Sequence, residues 1–321
     1  VGVFGLSSSV LPYLLRRCWQ MIPTLAGVIV LVFFLFQHFG GDPAEIMAGQ
    51  IADPKQIALI RAQLGLDQPW YVQLGIFVQQ LATFDLGRSW ATGEPIADLF
   101  LSRLPATLTI MLPILVLSTV LGVAAALAVA YVRGSLTDRL IMVLCTVAMS
   151  ISFLVYIIVG QWWFGYQLGW FPVQGWSDSA WHNLLVYAPL PVLLAVLVGL
   201  APDTRLYRSF IVEELDQDYV RTARAKGMSE TRLLLRHVLR NAMIPILANI
   251  GMALPGVFIG SFLIEIFFSI PGLGREVYTA VNRSDYPVIM VTTVYLAVLT
   301  MVINLMTDLL FKWVDPRVKL A

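Results

Sequence analysis

The sequence predicts an all-α integral membrane protein with six transmembrane helices. Three observations carry this. The 321-residue chain is 58% hydrophobic and only 13% charged, whereas a soluble domain is about a quarter charged. Its apolar residues gather in long uncharged runs, and a helix needs roughly 20 such residues to cross a bilayer. Its Lys and Arg residues concentrate in alternate connections, which orients the spans.

Six runs are long enough. They cover residues 18–39, 104–132, a third from 140 that fades into "LGWFPVQGW", 183–202, 241–264 and 286–307. The first run exceeds the apolar region of a signal peptide and no A-x-A site follows it, so it is expected to remain as an anchor. Residues 1–10 carry no helical signature and are set aside as a leader, with the first helix expected over 11–39. Arg16 and Arg17 precede the first span, and Arg133 and Arg139 join the second and third. Eight basic residues from Arg205 to Arg240 lie between the fourth and fifth, and Lys312, Arg317 and Lys319 follow the sixth. The loop after the third span has no Lys or Arg, and the one after the fifth has only Arg275 and Arg283. Both termini are therefore expected in the cytoplasm.

Residues 40–103 read as an external helical insertion. Asp53 is a plausible N-cap with Pro54 at the first helical position, and Gly65 suits a left-handed helix end. Ile57, Ile60 and Leu64 share a face. A second helix begins near Asp67-Gln68-Pro69 and carries Trp70, Leu74, Phe77 and Leu81. The insertion is either a structural cap on the membrane surface or a docking or gating element. The remaining residues, 104–321, form a core of five spans with a charged loop at 203–245.

That loop mixes Asp203, Glu213, Glu214, Asp216, Asp218 and Glu230 with the eight bases, so it is not a simple polybasic patch. It reads as helix, break, helix. The first helix ends near Lys226, and Gly227 fits the position after a helix end, where positive φ costs glycine little. Ser229 is placed to cap the next helix through its side chain, with Glu230 in the first turn. This helix is expected to run until Pro245 disturbs it. Ala223 and Ala225 permit close approach by another surface, and Arg221, Arg224 and Lys226 offer charge beside them. A positive loop with ordinary caps and a docking elbow are both compatible with this pattern.

Other chemistry is sparse. A net charge near +1 favours no nucleic-acid partner. Cys18 and Cys145 show no CxxC spacing, and His38, His182 and His237 are scattered, which suggests neither metal nor triad. A G-x-x-x-x-G-K-[ST] loop is absent from the sequence. Glu265 ends the fifth apolar run, about 28 Å along a helix from Ile246. It is read either as a pathway or gate residue, or as a helix-end acid paired with an Arg or wetted at the interface. Gly251, Gly256 and Gly260, with Pro255, make this span small-faced and bendable. Gly256, Gly260 and Phe258 are grouped with Glu265 as pathway or gate candidates, with ordinary packing as the alternative. Asp308 is expected to anchor at the interface or pair with Lys312. Trp162, Trp163, Trp170, Trp176 and Trp181 form an aromatic belt or, alternatively, a stacking surface.

The charged loop also carries a resemblance. "DYVRTARAKGMSETRLLLRHVLRNAMIP" is similar to the EAA loop of permease subunits in binding-protein-dependent ABC importers, most closely the dipeptide/oligopeptide/nickel branch. Arg221, Thr222 and Ala223 take the Glu-Ala-Ala places and Gly227 the glycine. The acidic first residue and the later proline of the general pattern are absent, and "RTARAKG" is the form common in this branch. "GDPAEIMAG", "LGLDQPWYVQ", "FDLGRSW", "RLPATL", "LGWFPVQG", "EIFFSIPGLGREVYTAVNRSDYPV" and "NLMTDLLFKWVDPRVKL" extend the likeness in order from about residue 11 to 319. In "MSISF", Ser152 replaces a proline frequent in the branch, which puts a kink there in question.

The resemblance implies a non-catalytic permease of the bacterial inner membrane that translocates a small polar solute, with di- or oligopeptides favoured. Nickel, glutathione, opines and oligosaccharides are cargoes of similar permeases. The chain itself is expected to bind no cofactor; ATP and Mg belong to two cytoplasmic ATPase subunits. Asp218, Tyr219, Arg221, Thr222, Ala223, Arg224, Ala225, Lys226, Gly227, Met228, Ser229 and Glu230 would form the coupling helix and its turn. Closure of the ATPases would move two such levers and switch the helices between inward- and outward-facing states. A solute-binding protein would deliver cargo, and a homologous second permease would complete the pore. The rival readings are an ion-coupled secondary transporter, which would work without partners, and a membrane enzyme. No internal repeat is visible, although secondary transporters often carry one. Nor is a convergent intramembrane set of acid, His and nucleophile visible.

Overall fold

The computed structural model describes residues 10–39, 44–45, 53–63 and 65–314. Much of the expected "GDPAEIMAG" segment, Leu64, and residues 1–9 and 315–321 lie outside the described residues. Among those described the protein is helical, with one isolated antiparallel bridge between Arg88 and Pro95. Five helices are long and apolar enough to cross a membrane, and a bent pair, Leu136–Ser150 with Phe153–Gln167, makes a sixth candidate. The chain divides into two compact units. One holds residues up to 105 together with 272–309, and the other is built mainly from 106–271.

The first unit begins with α1 (Val10–Phe39), which starts within the expected leader at Val10. Helices α2 (Pro54–Gln63) and α3 (Trp70–Ala82) follow. Asp53 caps α2 by accepting from the Lys55 N–H at 3.3 Å, and Gly65 takes φ +67°. Leu74, Phe77 and Leu81 are half-buried at helical spacing, while Trp70 is exposed. Helix α4 (Ile96–Tyr131) starts eight residues before the apolar run at 104. Its opening turn is amphipathic, so Ile96 and Phe100 enter a core with Leu273, Ala280, Val288 and Val291.

Two stretches far apart in sequence meet in this unit. Asp285, 3% exposed, accepts from the Ser89 hydroxyl and from the backbone N–H groups of Trp90 at 3.1 Å and Ala91 at 3.2 Å. A carboxylate acceptor supplies the charge that a bare loop of N–H donors needs when buried. At the other end of the unit, the Asp308 carboxylate accepts from the Tyr13 hydroxyl at 2.6 Å and pairs with Arg17 at 3.1 Å. The first helix therefore supplies partners for Asp308 that local i,i+4 reasoning does not reveal. The Lys312 side chain lies outside the described residues.

In the second unit, α5 (Leu136–Ser150) and α6 (Phe153–Gly160) meet at 88°. The bend falls at Ser152 without any proline. Ile151 and Ser152 are extended, at ψ 130° and 140°, and the Tyr156 hydroxyl donates to the Ala148 carbonyl at 3.0 Å. The Ile151 N–H donates to the same carbonyl at 3.3 Å, so two donors close the end of α5. After α6 a wide-turned π-helix (Gln161–Gln167) leads to the "LGWFPVQG" segment. Gln161 fastens the region by donating to the carbonyls of Val173 at 3.0 Å and Phe267 at 2.9 Å.

Two expected boundaries move. Helix α7 (Pro189–Leu215) passes through Pro202 and continues thirteen residues beyond it. The polar stretch is still helical because Tyr207, Ile211 and Leu215, at i+4 steps, are all buried. Likewise, Pro245 does not end the next helix. Helical structure runs from α9 (Glu230–Leu233) through a π-turn (Leu234–Val238) into α10 (Leu239–Ile259), with Pro245 and Pro255 inside α10. A spanning helix tolerates proline when neighbours satisfy the freed groups. The break comes at Gly260, φ +76°, before α11 (Phe262–Phe267). The first unit then resumes with α12 (Leu273–Asn282) and α13 (Tyr286–Val314).

Candidate functional site

Between α7 and α9 lies a single short helix, α8 (Asp218–Ala225). Its sequence is amphipathic over two turns. Val220 is 0% exposed, and Tyr219, Ala223 and Met228 pack on the same core as Tyr207, Ile211, Leu215, Leu233 and Val238. Asp218, Arg221, Thr222, Arg224, Ala225 and Lys226 are exposed on the remaining surface. This corrects one expectation: Ala223 faces the chain's own core, and only Ala225 is open to another surface. The apolar side of α8 is narrow, so Ala223, one helical turn from Val220, is drawn into it.

The turn that closes α8 is a Schellman motif. The Gly227 N–H donates to the Arg224 carbonyl at 2.9 Å and the Met228 N–H to the Ala223 carbonyl at 3.3 Å, with Gly227 at φ +78°. Ser229 occupies the N-cap of α9, but its hydroxyl makes no capping bond. Glu230 is instead held by Arg224, whose Nε and Nη2 reach its two carboxylate oxygens at 2.7 and 3.1 Å. This pair spans the turn. Both partners are nearly half exposed, so screening limits the pair to about 1 kcal/mol or less. Burying Val220 is worth about 1.5–3 kcal/mol, so packing rather than charge fixes α8.

Neighbouring groups stiffen the entry. Arg133 grips Asp216 with two bonds of 2.9 and 3.0 Å, and this bonding holds the Asp216 carboxyl below its ordinary range. The Tyr219 hydroxyl donates to Glu214 at 2.6 Å. Burial, and then the Glu214 acceptor, push the Tyr219 phenol up to about 12. Sequence reasoning missed both anchors. The apolar residues at 207, 211, 215 and 220 were the available signal for the inner face, whereas the Arg133–Asp216 pair spans 83 positions and has none.

The pathway candidates sit elsewhere in this unit. Glu265 is 1% exposed and accepts from the Thr107 hydroxyl at 2.9 Å. It is therefore packed, not wetted at an interface. A Cβ on Gly260 would collide with Glu265 Oε1 and come within 2.8 Å of Thr107 Cγ2. Gly260 thus makes room for the carboxylate. Phe258 and Gly256 are half-buried, and a Cβ on Gly256 would meet nothing within 4 Å. Gly251 and Pro255 are buried. Trp162, Trp163, Trp170 and Trp181 are exposed, whereas Trp176 packs against the core of the unit.

Helices of membrane length, joined by a charged elbow whose inner face is packed, define a multi-pass membrane protein. Two family matches cover nearly the whole chain. Residues 118–320 match the binding-protein-dependent transport system inner membrane component, and residues 10–111 match the N-terminal membrane component of the same systems. Among curated relatives, the chain is 32% identical to a dipeptide transport system permease protein of Alkalihalophilus pseudofirmus, over 96% of this chain and 99% of that one. It is 36% identical to a putative peptide transport system permease protein of Brucella abortus, over 95% and 98%. It is 37% identical to a glutathione transport system permease protein of Salmonella paratyphi A, over 96% and 99%. The chain belongs to the family of inner-membrane permease components of binding-protein-dependent ABC importers. It is accordingly a multi-pass protein of the bacterial inner membrane. Permeases of this family associate with a solute-binding protein and ATPase subunits.

Proposed function

We propose that this chain carries di- or oligopeptides across the inner membrane as one permease of an ATP-driven importer. A homologous second permease completes the pore, and an external solute-binding protein hands over the cargo. Two cytoplasmic ATPase subunits, which bind ATP and Mg, supply the work. The observation that carries this reading is α8: an apolar side anchored on Val220, a charged outer side, and a Schellman turn leading straight into a helix of membrane length. Such an element transmits displacement as a lever rather than absorbing it. In this reading Asp218, Arg221, Thr222, Ala225 and Lys226 meet the ATPase, and Tyr219, Ala223 and Met228 hold the lever to the spans. Both termini are cytoplasmic, and residues 40–103 face the binding protein.

The relatives' names favour peptides, because dipeptides and glutathione share an amide-linked backbone with free amine and carboxylate ends. Reconstitution with candidate ATPases, the second permease and the binding protein tests this. Uptake of a labelled dipeptide is expected to require ATP and the binding protein. Uptake by this chain alone, driven by an ion gradient, would overturn the proposal in favour of secondary transport.

A further inference from the structure

The strongest unassigned feature is a carboxylate inside α7. Asp203 is the fifteenth of 27 residues in this membrane-length helix, about 21 Å from its start at 1.5 Å per residue. It is half-buried, and among the described residues its carboxylate has no hydrogen bond and no ion pair. Asp138, a carboxylate on α5, has Arg208 at 2.6 Å. Glu265 has Thr107.

The cations nearest Asp203 in sequence do not serve it. Arg205 donates to the Thr146 hydroxyl at 3.0 Å and Arg208 to Asp138, both on α5. Offsets of two and five residues put both side chains well away from Asp203 around the helix. Asp203 shares its own face with Gly199 and Tyr207, four residues either side. That face meets α4: a Cβ on Gly122 would lie 2.9 Å from Asp203 Cβ, and one on Gly199 would lie 3.3 Å from Ser118 Oγ and 3.9 Å from Asp203 Oδ2. The Tyr207 hydroxyl donates to Asn249 Oδ1 of α10 at 3.3 Å. Three helices thus bring Ser118, Asp203, Tyr207 and Asn249 into one polar cluster. Ser118, Tyr207 and Asn249 are neutral, and none of the cluster is a cation.

A carboxylate within a membrane-length helix is costly unless it faces water or a cation. From the half-buried, unpaired position of Asp203 in this polar cluster, we propose that Asp203 lines the conduit and receives the cargo's free N-terminal ammonium group. The inference rests on the peptide-importer reading and names the group that this reading leaves unassigned. Glu265, packed against Thr107 and Gly260, is not available for the same task.

The test uses the complete importer in proteoliposomes, with D203N and D203E. The cargoes are a tripeptide and the same tripeptide N-acetylated, each supplied at a measured saturation of the binding protein. In the unsubstituted importer the free-amine peptide is expected to be favoured. D203N is expected to cut the ratio of free-amine to acetylated uptake about tenfold, equivalent to ~1.4 kcal/mol, and D203E to restore most of it. An unchanged ratio in D203N overturns the inference and leaves the peptide reading standing. Equal loss of both cargoes, with the second permease missing from the purified complex, assigns Asp203 to subunit contact and also overturns it. Failure of the unsubstituted importer to take up either peptide overturns both readings together.

Discussion

Gly260 illustrates how much a single backbone position decides. Its φ of +76° and the presence of Glu265 Oε1 where a side chain would begin exclude any other residue without rearrangement. Gly260→Ala is expected to destabilise the protein by about 1–3 kcal/mol, read as a lower unfolding temperature in detergent. Gly75 is the contrast. It lies within α3, and an added Cβ would meet nothing within 4 Å. Gly75→Ala is expected to leave the unfolding temperature equal or slightly higher, by the helix propensity difference of ~0.5–1 kcal/mol. An equal drop in both variants would show that Gly260 is not specially constrained. At the same scale, Asp285 and Asp308 show that the acids near the ends of α13 are bonded to distant parts of the chain.

At the scale of elements, the elbow around α8 combines a buried side, an exposed charged side and a glycine turn. Gly227 is surrounded by open space, so substitution there strains the backbone without disturbing the core. Gly227→Pro also removes the N–H that bonds Arg224. It is expected to reduce ATPase co-purification and uptake severalfold while circular dichroism stays helical. Normal assembly and uptake would remove α8 from the coupling role. The bend at Ser152 makes a related point. Proline is one way to break a helix, but extended residues at 151 and 152, with Ile151 and Tyr156 both donating to the Ala148 carbonyl, bend it without one.

At the scale of the whole molecule, the positive charge of alternate loops predicts the direction in which the chain is threaded. With the native Cys18 and Cys145 replaced by Ser, Lys226→Cys is expected to react with a membrane-impermeant maleimide only in inverted vesicles. Trp170→Cys is expected to react only in intact spheroplasts. Labelling of both from one side would invert or break the proposed topology. The matched relatives align along 95–96% of the chain, so the predictions concern the spans and the loops alike.

The sequence by itself determined the membrane class, the approximate positions of the apolar spans, the glycine turn at 227 and the family. These are local or cumulative signals: apolar run length, loop charge, one residue's φ preference, and a series of short motifs in order. Only the tertiary structure decided that Ala223 faces inward, that Glu265 is packed, that Asp308 is held by Tyr13 and Arg17, and that Asp203 lies within a continuous helix without a partner. Each of those depends on which side chain occupies the neighbouring space once the helices have packed. A hydrophobic run shows that a helix is buried in something, but a polar residue's role depends on its partner, and partners such as Thr107 for Glu265 or Tyr13 for Asp308, 158 and 295 positions away, leave no local trace.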